Sequence, residues 1–474
     1  MTDADVARLR ELGYEQQLAR RLRIFDNVAL GFAGISPVVG LYAVVLVAST
    51  LAGPAWVWVL PVALAGQCLL LAVYAQLAAD FPVAGGAYQW TRRLVGPRYG
   101  WFTGWVAICA YAVASTTVAY LGAPWALTLL EIEPRPGAVV ATAVGLVVVC
   151  AAAGALGVTM LGRAVRVGIV AELVAALGIG LALLLLFREH GFSLLTESLG
   201  AEALSGGSVA AGLLAALAVG GWVFIGFDVA VGAAEETRDA SRQVPRGLWI
   251  ALLGVSALVI LNAVATSLAH PDPAAVAAGR DADPVATAVV SSFGSWSAKP
   301  FAAVVLIAFI ACGMAAQALT ARTMFSIARD GVLPGSKLLS SVDRRRSPLA
   351  AIVVSAAVAS AGLLLGLDSN AVGTLIAFGT AAVYVQFLLI AAAALTARVR
   401  GTWSRGGRAG LVVNVAAVAW LAFETVNIAW PRRSIAPPDA PLYQVWAAPM
   451  LLTAIAVAGL AYLAIARPVT RDPR

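Results

Sequence analysis

Charge is what this chain has least of. Only 12% of its 474 residues are Asp, Glu, Lys or Arg, while 61% are hydrophobic. A soluble domain sits nearer a quarter charged, so the composition argues for a multi-span membrane protein whose main solvent is the lipid bilayer. The net charge of +7 is spread over short loops between apolar runs, which argues against nucleic acid as a partner. Histidine is nearly absent too, with only His190 and His270, both in expected external loops. No HExxH, phosphate-binding glycine loop or GxSxG in a fitting context occurs, so no metal site and no catalytic residue is expected, and the chain does not read as an enzyme. The cysteines Cys68, Cys109, Cys150 and Cys312 lie singly in apolar runs, as small core residues without disulfide or ligand spacing. A repeated filter motif is missing, which argues against a channel. The longest inner loop, about 328–347, is too short for a sensor domain.

What the chain does have is apolar windows of membrane-spanning length. Twelve are expected, at 27–50, 54–78, 99–128, 138–160, 165–187, 208–234, 246–268, 300–327, 348–366, 370–397, 408–429 and 442–466. Residues 1–24 are polar and charged, unlike a signal peptide, and read as an arm with Arg20, Arg21 and Arg23 near the headgroups. Arginines tests that layout. Arg92, Arg93 and Arg98, Arg163 and Arg166, Arg238, Arg242 and Arg246, Arg344 to Arg346, and Arg398 to Arg408 fall in loops of one side. The other side holds Arg135, Arg188, Arg280, Arg432 and Arg433, with Lys299 at a boundary. The positive-inside rule then places both termini in the cytoplasm, with a plasma-membrane location expected. The organisation is an arm at 1–26, spans one to five within 27–187, spans six to ten within 208–397, two more within 408–466, and a tail at 467–474.

Two spans are interrupted. The first contains Gly34-Ile35-Ser36-Pro37-Val38-Val39-Gly40, a missing donor with glycines on both sides. The sixth reads "LAVGGWVFIGFDVAVGAAEE", residues 217–236, with Gly220, Gly221 and Gly226 beside Asp228. Unsatisfied peptide groups in lipid cost several kcal/mol each, so a helix breaks only where protein or a watery cavity covers the break. Breaks five spans apart are the pattern of two inverted five-span repeats, whose discontinuous helices face each other at the midplane and bind substrate there. A helix kink or close packing is the alternative reading of the first break.

Ionisable groups at membrane depth ask for a partner or a function. Glu172, in "RVGIVAELVAALGIG", suits a proton carrier, a helix–helix hydrogen bond or a direct amine contact. Asp228 suits a proton carrier or gate, a partner for a cationic substrate, or a cap for the inner half of span six. Arg322 reads as a residue that reaches the inner face or ties a cytoplasmic gate, and Glu424 as a packing or oligomer contact. Glu235 and Glu236 read as a solvated loop or as an ion-pair gate with Asp80, Arg92 or Arg93. Trp222, Phe224, Phe227 and Tyr111 are the candidates for a cation–π box.

Four stretches resemble the amino acid–polyamine–organocation permeases, amino acid/choline branch: "LGYEQQLARRLRIFDNVALGFAGISPVVGLY" (12–42), "AADFPVAGGAYQW" (78–90), "GWVFIGFDVAVGAAEETRDASRQVPRGL" (221–248) and "ARDGVLP" (328–334). The resemblance implies an all-α integral membrane protein with the LeuT-type fold, an inverted 5+5 repeat plus two C-terminal helices. It implies alternating-access transport of an amino acid or related small amine, with choline or polyamine transport and amino acid exchange as alternatives. By position, the backbone of residues 34–40 meets the substrate, Trp222 covers it, and Ile225 and Gly226 form the unwound link. Tyr111 and Ser115 line the pocket from span three, and Gln317 or Thr320 from span eight. Many relatives carry Gly-Ser/Thr-Gly where this chain has Val38-Val39-Gly40, a loss of a hydroxyl that weakens the case for an amino acid over an amine lacking a carboxylate. No cofactor is expected. The coupling ion is expected to be H+, with Na+ on span-one carbonyls and Thr320 or Thr323 as its rival, in a monomer or homodimer.

Overall fold

The computed structural model describes residues 7, 9–367, 371–433 and 441–466; the expected tail at 467–474 lies outside them. Twelve apolar spans run through the described residues, without a β-strand among them. Span one is Ile24–Ile35 plus Pro37–Ala52, span two Val59–Asp80, span three Pro97–Leu129, span four Pro136–Ala155 and span five 158–185. Span six begins as Val209–Gly220 and ends as Val229–Gly232. Ala240–Ala269, Ala298–Arg329, Leu349–Gly362, Ala371–Val399, Gly407–Ala429 and Ala447–Ala466 complete the set. Span seven starts six residues before its expected boundary because the polar run Ala240–Arg246 is already helical. Short helices fill the loops, Gly86–Leu94 after span two and Pro273–Ala277 and Pro284–Phe293 after span seven. The fold is a LeuT-type inverted repeat with two added helices.

The break in span one is narrower than the glycine pattern predicts. Only Ser36 leaves the helical region, at φ 51°, ψ 106°, and Pro37 to Gly40 already form the first turn of the outer half. Pro37 disfavours a helical residue before it and withholds the donor that the carbonyl four residues back would receive. Ser36 then caps the new helix, its Oγ accepting the Val39 N–H at 3.1 Å. Span six unwinds over a longer stretch: a 3₁₀ turn at Gly221–Phe224, extended Ile225, and Gly226 at φ +110°.

The glycines have a second use. A methyl on Gly34 would overlap the carbonyl of Gly226, and one on Gly226 would overlap that of Gly34. Gly31 lies against Ala230 and the Phe227 carbonyl, Gly40 against the Val223 backbone, and Gly212 against the Leu51 carbonyl. As the span-one partner climbs, the span-six partner falls. Spans one and six are therefore antiparallel and in backbone contact along most of their length, with both breaks at one level.

Around this pair the remaining spans form layers. The apolar window of span three is 83% buried, against 17% for span twelve, so three is central and twelve peripheral. Span five contains a π-helical turn, Leu173–Ile179, directly after Glu172. Such turns leave a carbonyl out of register. Asn262 of span seven takes up the one at Ala176, donating at 2.5 Å.

Backbone contact of this kind is testable by adding one carbon. Gly226→Ala should destabilise the protein by several kcal/mol, combining overpacking of about 1–3 with a positive-φ cost of about 1–2. Gly34→Ala should act through overpacking alone. Gly145→Ala, whose methyl would meet open space, should be neutral or stabilising. Size-exclusion thermal melts in detergent read all three, and equal midpoints would show that the spans do not touch.

Candidate substrate site

Between the two breaks lies a cavity of about 40 Å³. At roughly 10–15 Å³ per water it holds about three, so a solute of amino-acid size requires the walls to give. Span one lines it with Gly34, Ile35 and Val39, and span six with Trp222, Ile225, Gly226, Asp228 and Val229. Tyr111, Ala114 and Val118 come from span three, Cys312, Ala316 and Leu319 from span eight, and Val383 from span ten. The position-by-position reading thus converges on one place for Gly34, Ile35, Val39, Tyr111, Trp222, Ile225, Gly226 and Asp228. The other candidates lie elsewhere. Ser36, Pro37 and Val38 are buried behind the wall, Gly40 packs on Val223, and Ser115 donates to the Tyr111 carbonyl of its own helix. Gln317 lines a separate cavity with Cys150, Arg322 and Ile352, and donates to the Val147 carbonyl at 3.1 Å. Thr320 and Thr323 donate to carbonyls one turn back in span eight. The cation–π box is not assembled: Phe227 stacks on Phe387 at 5.5 Å, Phe224 is fully buried, and only Trp222 and Tyr111 reach the cavity.

Asp228 anchors a polar network in this apolar wall. Its side chain makes no cap hydrogen bond to the short helix that follows. Instead Oδ2 accepts from the Tyr111 hydroxyl, while Gln386 Nε2 donates to Tyr111 at 2.6 Å and to Tyr74 at 3.4 Å. Oδ1 is buried without a hydrogen-bond partner among the described residues. Sequence reading missed Tyr74 and Gln386. The available signal was a lone glutamine inside the apolar run of span ten, since a polar group at membrane depth asks for a partner.

Glu172 closes a second polar contact one layer away. Ser36 Oγ donates to Glu172 Oε1 at 2.6 Å, and both residues are fully buried. The break in span one is therefore held by a relay in which the Val39 N–H donates to Ser36 and Ser36 donates to Glu172. Glu172 Oε2 has no partner among the described residues. Cys312, beside the cavity, directs its thiol at the Gly34 carbonyl at 3.7 Å.

Both ends of the cavity are covered. Toward the arginine-rich face, Arg322 bonds Glu236 at 2.5 Å and Arg329 grips Glu235 at 2.8 and 3.1 Å, with the Ala84 N–H donating to the same carboxylate. Asp330 accepts from Tyr14 at 3.0 Å, from Tyr88 at 2.7 Å and from Arg92. Burial, and then the Asp330 carboxylate, push the Tyr14 hydroxyl above its ordinary pKa, which keeps it a donor. The arm is stitched down by the Leu22 N–H donating to the Glu236 carbonyl at 2.8 Å and the Arg238 N–H to Leu22 at 2.9 Å. The Glu235 and Glu236 partners are thus Arg329 and Arg322 rather than Asp80, Arg92 or Arg93; Asp80 pairs with Arg405 and Trp403. On the opposite side, Tyr42, Trp125 and Phe301 pack with ring centroids 5.8–6.3 Å apart. Along span eight, Phe301 and Arg322 lie about 15 Å to either side of Cys312, at 1.5 Å per residue. Glu424, expected at a packing or oligomer contact, is 1% exposed within the bundle.

The profile of the Amino acid permease family matches residues 25–456. Among curated proteins, Amino-acid permease BAT1 of Arabidopsis thaliana is 26% identical, across 97% of this chain and 93% of its own length. Branched-chain amino acid permease BcaP of Bacillus subtilis is 28% identical, across 77% of this chain and 80% of its own. Cationic amino acid transporter 2 of Arabidopsis thaliana, described as vacuolar, is 28% identical across 78% of this chain and 60% of its own. A match of this extent, on a twelve-span bundle with a cavity between two broken helices, has one reading: the chain belongs to the amino acid permease family and is a multi-pass membrane transporter.

Proposed function

We propose that the protein takes up an amino acid or related amine across the plasma membrane by proton-coupled alternating access, with the arginine-rich face and both termini in the cytoplasm. Catalysis of a chemical reaction forms no part of this reading. Neither does a cofactor other than the coupling ion.

The observation that carries the coupling is the Ser36–Glu172 hydrogen bond at the break of span one. A carboxylate at membrane depth is costly, so Glu172 is stable charged only where donors or water reach it. A hydrogen bond to an ionised acceptor is roughly twice as strong as a neutral one. Loss of the proton from Glu172 thus tightens its hold on Ser36, the one residue on which the inner and outer halves of span one pivot. Substrate bound at Gly34 and Ile35 touches the same pivot. Proton and substrate are in this way coupled through one hydroxyl. Na+ on span-one carbonyls is the rival reading, because Thr320 and Thr323 donate their hydroxyl protons within span eight and keep their oxygens as acceptors.

Glu172→Gln keeps a hydrogen-bond partner for Ser36 and removes the titratable proton. In proteoliposomes it should lose accumulation driven by an imposed pH gradient while substrate binding stays within a few-fold of the parent. Accumulation that still follows the pH gradient would retire Glu172 as the carrier, and stimulation by Na+ at fixed pH would favour the rival ion.

Alternation is tested at Cys312, which lines the cavity. With Cys68, Cys109 and Cys150 replaced by Ala, an impermeant thiol reagent applied to inside-out vesicles should label Cys312 slowly. Asp330→Asn, which weakens the Tyr14–Tyr88–Arg92 cluster, should raise that rate about tenfold or more, a shift of about 1.4 kcal/mol in the closed-to-open balance. An unchanged rate would mean that this cluster does not close the cytoplasmic path.

A further inference from the structure

We propose that Asp228 is the seat of the substrate's ammonium group, and that the site selects a protonated amine on a small apolar body, with the carboxylate dispensable. This rests on the transporter reading above and names its substrate class. Asp228 is the one carboxylate among the described residues of the cavity wall, and no Lys or Arg accompanies it there. One oxygen is engaged by Tyr111; the other is buried and without a hydrogen-bond partner among the described residues, with the Gln386 amide beside the carboxylate. A buried carboxylate oxygen without a donor is unfavourable, and a ligand ammonium supplies the missing donor and charge together. Gln386 sets the polarity of the arrangement. Because its amide donates to Tyr111 and Tyr74, the Tyr111 proton is directed at Asp228, which leaves Asp228 an acceptor.

Backbone electrostatics point the same way. The inner half of span one ends at Ile35 on the cavity wall, and a helix C-terminus carries partial negative charge. For a carboxylate the wall offers less. Val39 presents only an alkyl side chain to the cavity, and the Ser36 hydroxyl is committed to Glu172. Val118, Ile225, Leu319 and Val383 form the apolar remainder.

The test uses the full-length protein in nanodiscs and two sets of isosteric probes: L-alanine, ethylamine and propionate, and L-leucine, isopentylamine and 4-methylpentanoate. In at least one set the amino acid and its amine should bind within about tenfold of each other, and the carboxylate at least ~30-fold more weakly. Asp228→Asn should weaken both amine-bearing probes by ~30-fold or more, the loss expected when one partner of a buried charged pair is truncated. Tyr111→Phe retains the carboxylate and should keep the preference for amine over carboxylate, which separates the seat from general damage to the pocket. Carboxylate probes that match their amino acids, or an Asp228→Asn protein that binds leucine or alanine like the parent, would overturn the assignment alone. Failure of every amine-bearing probe on the parent protein would overturn the proposed class of substrate, a small amino acid or related amine, with it.

Discussion

A peptide group inside a bilayer needs a partner, and everything distinctive in this protein follows from how two spans lose theirs. Span one breaks at a single residue and span six over a longer run, and each break is covered by the backbone of the other at Gly34 and Gly226. Side chains at those positions would push the helices apart and admit lipid or water to carbonyls that the outer bundle cannot satisfy. The break and the close contact are one device: Gly226, whose positive φ unwinds span six, meets Gly34, still helical, in the approach that makes unwinding tolerable. The cavity is what remains between two backbones that meet on either side of it.

The two buried acids near the breaks are separated in a way that suits separate work. Asp228 faces the cavity through span six and is oriented by hydroxyl and amide groups from spans three and ten. Glu172 sits behind the wall on span five, and among the described residues its side chain is hydrogen-bonded to the pivot alone. A proton on Glu172 therefore need not compete directly with a cation at Asp228. The communication between them runs through the geometry of span one, whose inner half contributes Gly34 and Ile35 to the cavity and whose outer half is capped by the residue that Glu172 holds.

Spans and the location of both breaks were legible in the sequence because each rests on a local rule: span length on bilayer thickness, break on Pro37 and Gly226. Cavity residues that follow from helix position, such as Tyr111 and Trp222, were legible by resemblance. What escaped is what depends on rotation about a helix axis and on partners far away in sequence. Gln317 and Ser115 were placed in the pocket by span, but their faces of spans eight and three point to span four and to their own helix. Gln386 and Tyr74, which orient Asp228, come from spans that the break pattern does not single out. The partners of Glu235 and Glu236 were misassigned for the same reason, since Arg329 and Arg322 reach them from the far end of a 32-residue helix.

The two covers of the cavity differ in chemistry, and that difference has an energetic consequence. Opening on the arginine-rich side separates Arg322 from Glu236 and Arg329 from Glu235, and each freed ion is met by incoming water. Desolvation and Coulomb attraction nearly cancel in buried pairs, so hydration offsets most of the lost attraction and this side opens near balance. Opening at Tyr42, Trp125 and Phe301 exposes aromatic surface to water at about 25 cal/mol per Å², with nothing in water to replace it. Small terms therefore decide the ionic side: one proton at Glu172, or one cation at Asp228, is large against a near-balanced ionic gate. The aromatic side requires the whole outer half of span one to move with the ring of Tyr42. On the proposed reading the substrate is released on the side where the closure is made of charge, with Arg322 and Arg329 as the latch.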